Sequence, residues 1–277
     1  ACAVIETARK SKKINKVYAG KDGIIGALNE DLIDTSIEKA KEVKKLMHTP
    51  GGAFGSCRHK LQNAQQNEIE YKRLIEVFKA HDIGYFFYNG GGDSQDTSNK
   101  IAAYTKKAGF PVTCIGIPKT IDNDLPYTDN CPGFGSVAKY IATSTKEAAL
   151  DVKSMSSSST KVFIFEVMGR HAGWLAASSG LAQSKNNPAP HIILLPEVPF
   201  NESKFLKKVK DSVNKDGYCV IAVSEGTKYK NGKFLADAGT IDSFGHKQLG
   251  GVAPRIAEII NKKLGLKYHW AVSDYLQ

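Results

Sequence analysis

Apolar residues along the chain follow two spacings: short unbroken runs rich in β-branched and aromatic residues, and longer stretches with an apolar residue every three or four positions. The first kind reads as buried strand and the second as amphipathic helix. Strands are expected near residues 84–89, 112–117, 161–167, 191–195 and 218–224, and helices near 35–47, 66–80, 94–107, 134–154, 171–184, 200–215 and 248–264. Their alternation predicts βαβ units, hence an α/β protein with Rossmann-like lobes and mainly parallel sheets. Polar loops end the strands on both sides of the Ser-rich stretch 154–159, which suggests two lobes facing each other across a cleft. That stretch reads either as a linker or as a plain helix-to-strand loop. Residues 1–10 form a short amphipathic helix with no strand ahead of it, whereas a βαβ fold should open with a strand. Together with the abrupt end at Asp274-Tyr275-Leu276-Gln277, this leads us to expect an internal piece of a longer protein.

Ligands of open α/β sheets bind at the carboxyl ends of the strands, so the loops there carry the functional argument. Pro118-Lys119-Thr120-Ile121-Asp122-Asn123-Asp124 follows the strand Val112-Thr113-Cys114-Ile115-Gly116-Ile117 and packs two carboxylates, a hydroxyl and an ammonium into one turn. An Asp within reach of an alcohol can take its proton as the oxygen attacks phosphorus, an effect of roughly 10²–10⁴-fold. Asp122 is the candidate base. Asp124 could hold Asp122 in place or help bind a divalent cation, and Thr120 could donate to a substrate oxygen. The same residue types also suit an ordinary turn.

Phe86-Phe87-Tyr88-Asn89 runs into Gly90-Gly91-Gly92-Asp93-Ser94 at the start of a helix. Glycines there let backbone N–H groups approach an anion, and the helix N-terminus adds partial positive charge. Ser94 and Asp96 could instead cap that helix. A carboxylate at Asp93 repels phosphate unless Mg²⁺ bridges them, so it points to a metal or to exclusion of some other ligand. Thr49-Pro50-Gly51-Gly52-Ala53-Phe54-Gly55-Ser56-Cys57-Arg58 ends in an arginine suited to bidentate phosphate binding. Glu166-Val167-Met168-Gly169-Arg170-His171 offers a clamp at Arg170 and close backbone contacts at Met168 and Gly169, with His171 left as a helix-start residue. Glu225, at the end of the 218–224 strand, could accept sugar hydroxyls. The loop Phe244-Gly245-His246-Lys247-Gln248-Leu249-Gly250-Gly251 is explained about as well by turn chemistry as by binding.

Composition narrows the class. With 277 residues, 42% hydrophobic and 24% charged, the chain suits a soluble globular protein of one large core or two smaller ones. No apolar run approaches the roughly 20 residues of a membrane span, and no signal-peptide pattern opens the chain. Five widely spaced cysteines without a Cys-x-x-Cys pair argue against a disulfide framework and a zinc site, which points to the cytoplasm. The net charge of +10 comes from scattered lysines, not an aromatic-interleaved basic stripe, so nucleic acid is not the expected partner. A diffuse positive field still draws in small polyanions such as sugar phosphates.

Gly90-Gly91-Gly92-Asp93-Ser94, Pro118-Lys119-Thr120-Ile121-Asp122-Asn123-Asp124, Met168-Gly169-Arg170 and Glu225 stand in the order and spacing of the 6-phosphofructokinases, which the chain resembles over nearly its whole length. The resemblance implies phosphoryl transfer to the 1-hydroxyl of fructose 6-phosphate with Mg²⁺ in a two-lobed, homo-oligomeric (dimeric or tetrameric) enzyme. It makes Asp122 the proton acceptor. Thr120, Ile121, Asp122, Asp124, Met168, Gly169, Arg170, Glu225 and Tyr275 become sugar-phosphate residues, and Gly91, Gly92, Ser94, Arg58 and Lys119 diphosphate residues. Residues 1–134 with 248–277 become the donor lobe and 135–247 the sugar-phosphate lobe. ATP-using members usually have Gly at the positions of Asp93 and Lys119, whereas pyrophosphate-using members have Asp and Lys. An Asp side chain fills space that a nucleotide α-phosphate needs, and Lys119 can neutralise a phosphate leaving group, so the chain resembles the diphosphate-dependent branch.

Departures from the family pattern shift some roles. Many members carry an Asp as Mg²⁺ ligand where this chain has Gly92, which moves the metal assignment to Asp93. Lys161 stands where many bacterial members send an Arg into a neighbouring sugar site. The family's first strand and Gly-Gly phosphate loop would lie before Ala1, and its Tyr-x-x-Arg motif would need an Arg after Gln277, so Tyr275 is half of that motif. His246-Lys247-Gln248-Leu249 is given no sugar-binding role. The rival readings are an ATP-dependent phosphofructokinase and a truncated, inactive binding or regulatory subunit. Lipid and NAD kinases share the Gly-Gly-Asp loop but do not predict the 118–124 or 168–170 segments.

Overall fold

Local capping and short strands shape the first part of the chain more than long-range periodicity does. The computed structural model describes residues 1–49, 51–241, 247–249 and 251–277, which fall into two compact units, Ala1–Pro118 and Lys119–Gln277. Helix α1 (Cys2–Lys10) buries Cys2, Ile5 and Ala8 along one face, a spacing of three that keeps them on one side of the helix. Strand β1 (Tyr18–Gly20), helix α2 (Ile24–Asn29) and strand β2 (Leu32–Asp34) follow, with β1 and β2 antiparallel. The helix expected at 35–47 is broken. Asp34 accepts from the Ser36 N–H and caps a single 3₁₀ turn (Thr35–Ile37), Glu38 and Lys39 are extended, and only Ala40–Lys45 forms α3. Short polar side chains that bond to nearby backbone compete with helix in this way. Val43 of α3 packs against Cys2 and Ile5 of α1.

Helix α4 (Glu68–Ala80), strand β3 (Tyr85–Gly90), helix α5 (Gly92–Lys107) and strand β4 (Thr113–Pro118) make the βαβ unit that the periodicity predicts. β3 and β4 are parallel, with Gly90 opposite Pro118. Tyr71, Leu74 and Phe78 of α4, Ile101 of α5, Leu61 and Val112 share one core, against which Phe86 and Tyr88 of β3 pack.

The second unit holds a four-stranded parallel sheet. Helix α6 (Phe134–Met155) leads through the Ser-rich stretch into β5 (Val162–Val167), so that stretch is a helix-to-strand connection. Helix α7 (Trp174–Ser178), β6 (Ile192–Leu194), α8 (Glu202–Asp216), β7 (Cys219–Ser224), β8 (Asp237–Ile241), β9 (Lys247–Leu249), α9 (Val252–Leu264) and β10 (Tyr268–Val272) complete it. Sheet order is β10-β5-β7-β6, and β8 pairs with β9. Every residue of β7 is buried, the unbroken apolar run of a strand covered on both faces. Val162 and Ile164 of β5 face the core of α8 and α9, while Phe163, Phe165 and Val167 face the α6 and α7 side.

Three expectations change here. Residues 248–277 do not join the first unit: β10 is hydrogen-bonded to β5 from Tyr268–Val162 to Val272–Glu166, and the unit boundary falls at Pro118, not near 134. The helix expected from 171 is only α7 and a 3₁₀ turn (Ser179–Ala182), because Glu197 accepts from the Gly173 N–H and holds the preceding loop out of helix. The helix expected from 248 starts at Val252; Phe244, Gly245, His246 and Gly250 of that loop, and Pro50 of the earlier Gly-rich loop, lie outside the described residues.

Glu166 is the residue of this unit that the apolar pattern of β5 hides. It is 2% exposed, its Oε2 accepts from the Ala253 N–H at 2.8 Å, and the Gly251 and Val252 N–H groups also bond to it. A buried carboxylate thus caps α9, where the helix dipole favours negative charge. Burial still pushes its pKa up, with those N–H groups pulling the other way. Its carbonyl also accepts from the Ser273 N–H and hydroxyl, both at 3.1 Å. Glu166→Ala should cost about 3 kcal/mol in urea unfolding, since it removes charge-assisted bonds and strands buried N–H groups.

Candidate active site

In the first unit the chemistry gathers where β3 runs into α5. A Cβ on Gly90 would lie 2.1 Å from Ser94 Oγ, so only glycine lets the chain turn this tightly into the helix. Above Gly91 and Gly92 a Cβ would meet nothing within 4 Å, which leaves room beside the first turn of α5. That turn has no side-chain cap: Gly91 is the N-cap residue, and the Ser94 and Gln95 N–H groups bond to its carbonyl. An uncapped helix N-terminus flanked by open glycines is suited to an anion. Ser94 and Asp96 therefore do not act as caps, and Asp96 pairs instead with Lys100 at 2.7 Å.

Asp93, in that same first turn, has Lys60 Nζ 3.1 Å from its Oδ1. Among the described residues no group of three or more His, Cys, Asp or Glu could hold a metal ion. One carboxylate already paired with an ammonium does not make a resident Mg²⁺ site, which needs oxygen ligands around an octahedron. Arg58 is exposed two residues before Lys60. Lys60 has no signal in the sequence beyond its place in a loop that ends a Gly-rich run.

The second unit brings together Asp122, Arg170 and Glu225. The Thr120 hydroxyl accepts from the Asp122 N–H at 3.1 Å, which starts the turn. Asn123 then takes a left-handed conformation (φ 56°), and its buried side chain donates to the Asp129 carbonyl and accepts from the Cys131 N–H. Asn tolerates that conformation better than most residues. Burial, helped by the Asp124 and Glu225 carboxylates, pushes Asp122 up to about 6, against the Arg170 backbone N–H and guanidinium. Burial likewise raises Glu225, while Arg170, the Gly169 N–H and His171 pull it down and Asp274 pushes it up. Arg170 is thus the cation shared by two carboxylates.

Tight backbone packing sets that arginine in place. Gly169 has φ 126°, Ser224 Oγ donates to its carbonyl, and a Cβ on Gly226 would lie 2.0 Å from the Arg170 carbonyl oxygen. Beside this cluster is an open cavity of about 660 Å³ whose lining includes Asp124, Asp129, Phe134, His171 and Trp174. His171, left out by the sequence reading, is therefore part of the site's surroundings.

The side chains of the other expected residues are placed as follows. Ile121 and Met168 pack against the core of Val137, Phe165 and Leu175, so their side chains are structural at this edge. Tyr275 is 86% exposed in a 3₁₀ turn (Asp274–Leu276), and it is Asp274 of that turn whose charge reaches Glu225. Lys119 is exposed. Lys161 donates to the Ser156 carbonyl of its own chain.

Comparison with known proteins identifies the family. Residues 1–272 match the family model described as Phosphofructokinase. A protein of Halomonas elongata named pyrophosphate–fructose 6-phosphate 1-phosphotransferase is 60% identical over 278 aligned residues, spanning 100% of this chain and 66% of that protein. One of the same name from Methylococcus capsulatus is 57% identical with the same coverage. The crystal structure of a pyrophosphate-dependent phosphofructokinase from Marinobacter aquaeolei, 60% identical, superposes with a TM-score of 0.83 over 99% of this chain and 64% of that one. The chain spans about two thirds of the length of the relatives it matches. It belongs to the phosphofructokinase family.

Proposed function

We propose that the protein transfers a phosphoryl group reversibly between diphosphate and the 1-hydroxyl of fructose 6-phosphate, giving fructose 1,6-bisphosphate and orthophosphate. The observation that carries this reading is Asp122, a half-buried carboxylate raised to about 6 and held by the Arg170 N–H. It is ionised at neutral pH yet far more basic than an ordinary Asp, as a general base for an alcohol should be. As the sugar oxygen attacks the terminal phosphorus, its proton passes to Asp122 and the bridging P–O bond breaks. Orthophosphate leaves, its charge met by Lys119. Arg170 and Glu225 bind the sugar phosphate, with Thr120, Asp124 and the Met168 and Gly169 backbone around it. Gly91, Gly92, Ser94 and Arg58 receive the donor.

Relatives named for pyrophosphate support diphosphate as donor, and Asp93 with Lys119 supplies the physical reason. Mg²⁺, which the resemblance implies, would come with the donor as magnesium diphosphate and would offset part of its phosphate charge. We place the protein in the cytoplasm as a homo-oligomer; no helix among the described residues is long and apolar enough to cross a membrane. The test is phosphorylation of fructose 6-phosphate with diphosphate and ATP side by side, then with Asp93→Gly/Lys119→Gly. Wild type should use diphosphate at least 100-fold better, about the 3 kcal/mol that one repulsive contact and one lost ion contact supply. The double variant should lose most of that preference. An unchanged ratio would remove these two positions from donor choice.

A further inference from the structure

The fold holds the chain on both sides of Lys60. Leu61, next to it, is fully buried with Tyr71, Leu74 and Ile101, and its carbonyl accepts from Lys100 Nζ of α5 at 3.1 Å. On the other side, His59 Nε2 lies 3.0 Å from Glu70 Oε1 of α4. The backbone around Lys60 is therefore anchored to two helices. Its ammonium lies 3.1 Å from Asp93 Oδ1, with the two side chains 36% and 31% exposed. Exposed pairs usually contribute little because two long side chains must be ordered; here the loop has already given up much of that freedom.

The position of this pair has a consequence for charge. Asp93 stands in the uncapped first turn of α5, beside the open space over Gly91 and Gly92. A bare carboxylate there repels any phosphate that approaches the helix N-terminus. Among the described residues, the Lys60 ammonium lies against that carboxylate and offsets its charge.

We propose that Lys60 is a positioning residue for the phosphoryl donor: it holds the Asp93 carboxylate and offsets its charge, which admits diphosphate to the N-terminus of α5. The proposal rests on the diphosphate reading above. Because Lys60 acts through Asp93, removing it matters only while Asp93 is present.

The experiment compares wild type, Lys60→Met, Lys60→Arg, Asp93→Gly and Lys60→Met/Asp93→Gly, with Lys60→Gln in reserve should the methionine variant not fold. Binding of inorganic diphosphate is measured by calorimetry, and KM by steady-state assay. Lys60→Met should weaken diphosphate binding and raise its KM about tenfold, the size of one charge-assisted contact. KM for fructose 6-phosphate should stay within twofold, and Lys60→Arg should recover most of the loss. In the Asp93→Gly background, Lys60→Met should change diphosphate binding less than twofold. A Lys60→Met protein that binds diphosphate like wild type, or one that loses as much with Asp93 absent as with it present, overturns the proposal. A wild type that neither binds nor uses diphosphate overturns the functional reading first, and is recognised because no variant is needed to see it.

Discussion

Asp122→Asn should abolish most turnover and make the protein more stable at pH 8. Loss of the base is expected to lower kcat by roughly 10²–10⁴-fold, with KM for the sugar phosphate changed little because the amide keeps the size and its oxygen still accepts from the Arg170 N–H. The stability gain follows from the raised pKa. In the folded protein Asp122 titrates near 6, against an ordinary 3.8. Its folded state therefore favours the protonated form, and the charged form is a burden on the fold. That burden is absent below about pH 4, grows as pH rises through the interval up to about 6, and is complete above it. Two units of pKa correspond to about 3 kcal/mol, an upper figure for a group that is only partly buried. Asparagine carries no charge at any of these pH values. The two proteins should melt at the same temperature near pH 4 and separate by several degrees at pH 8, with the variant higher. A variant that melts lower than wild type at pH 8 would mean that burial is not what raises Asp122. For wild type, the same ionisation predicts that kcat/KM falls about tenfold per unit as pH drops below 6.

Gly226→Ala should damage both fold and activity although it adds one methyl group. The added carbon would sit 2.0 Å from the Arg170 carbonyl oxygen, 2.5 Å from its carbon and 2.7 Å from the Gly169 oxygen. All three are backbone atoms, so no side-chain rotation relieves the clash and the 169–170 segment must move. Overpacking of this kind costs about 1–3 kcal/mol, and a displacement of about 1 Å in a positioning residue lowers the rate on the order of 100-fold. Gly84→Ala is the control: its added carbon meets nothing within 4 Å, and its stability should stay within about 0.5 kcal/mol of wild type. Near-normal turnover by Gly226→Ala would show that the place of Arg170 is not critical.

The strands that organise the two units were legible because each is an unbroken apolar run ended by glycine or a polar cluster, as at Val162-Phe163-Ile164-Phe165 and Val220-Ile221-Ala222-Val223. The chemistry was legible for the same reason, since parallel strands deliver their loops to one edge and the candidate residues lie in those loops. What escaped was whatever needs a distant partner to have meaning. β1 and β2 are three residues each, too short for any period to show. β10 reads Tyr-His-Trp-Ala-Val and has exposed residues on both faces, so its alternation is lost; only its ladder to β5 makes it a strand. Lys60 is one lysine among many until Asp93 comes within 3.1 Å. Glu166 stands in the sequence as the first polar residue after the apolar run of β5, and its role appears only with the start of α9 beside it. The division of 1–134 with 248–277 from 135–247 came with the family resemblance and not from the residues, whereas hydrogen bonding joins β10 to β5 of the second unit.

Glu166 also says something about chain connectivity. Through its carboxylate it grips the first turn of α9, and through its carbonyl it grips Ser273 just past β10. Two ends of one segment are thus clasped by a single residue of the sheet, while Val252, Ile256 and Ile260 bury the face between them. The segment from 252 to 273 is seated by these contacts at both ends and along its length, so one side chain and one carbonyl of the sheet act as a clasp on a whole helix and strand.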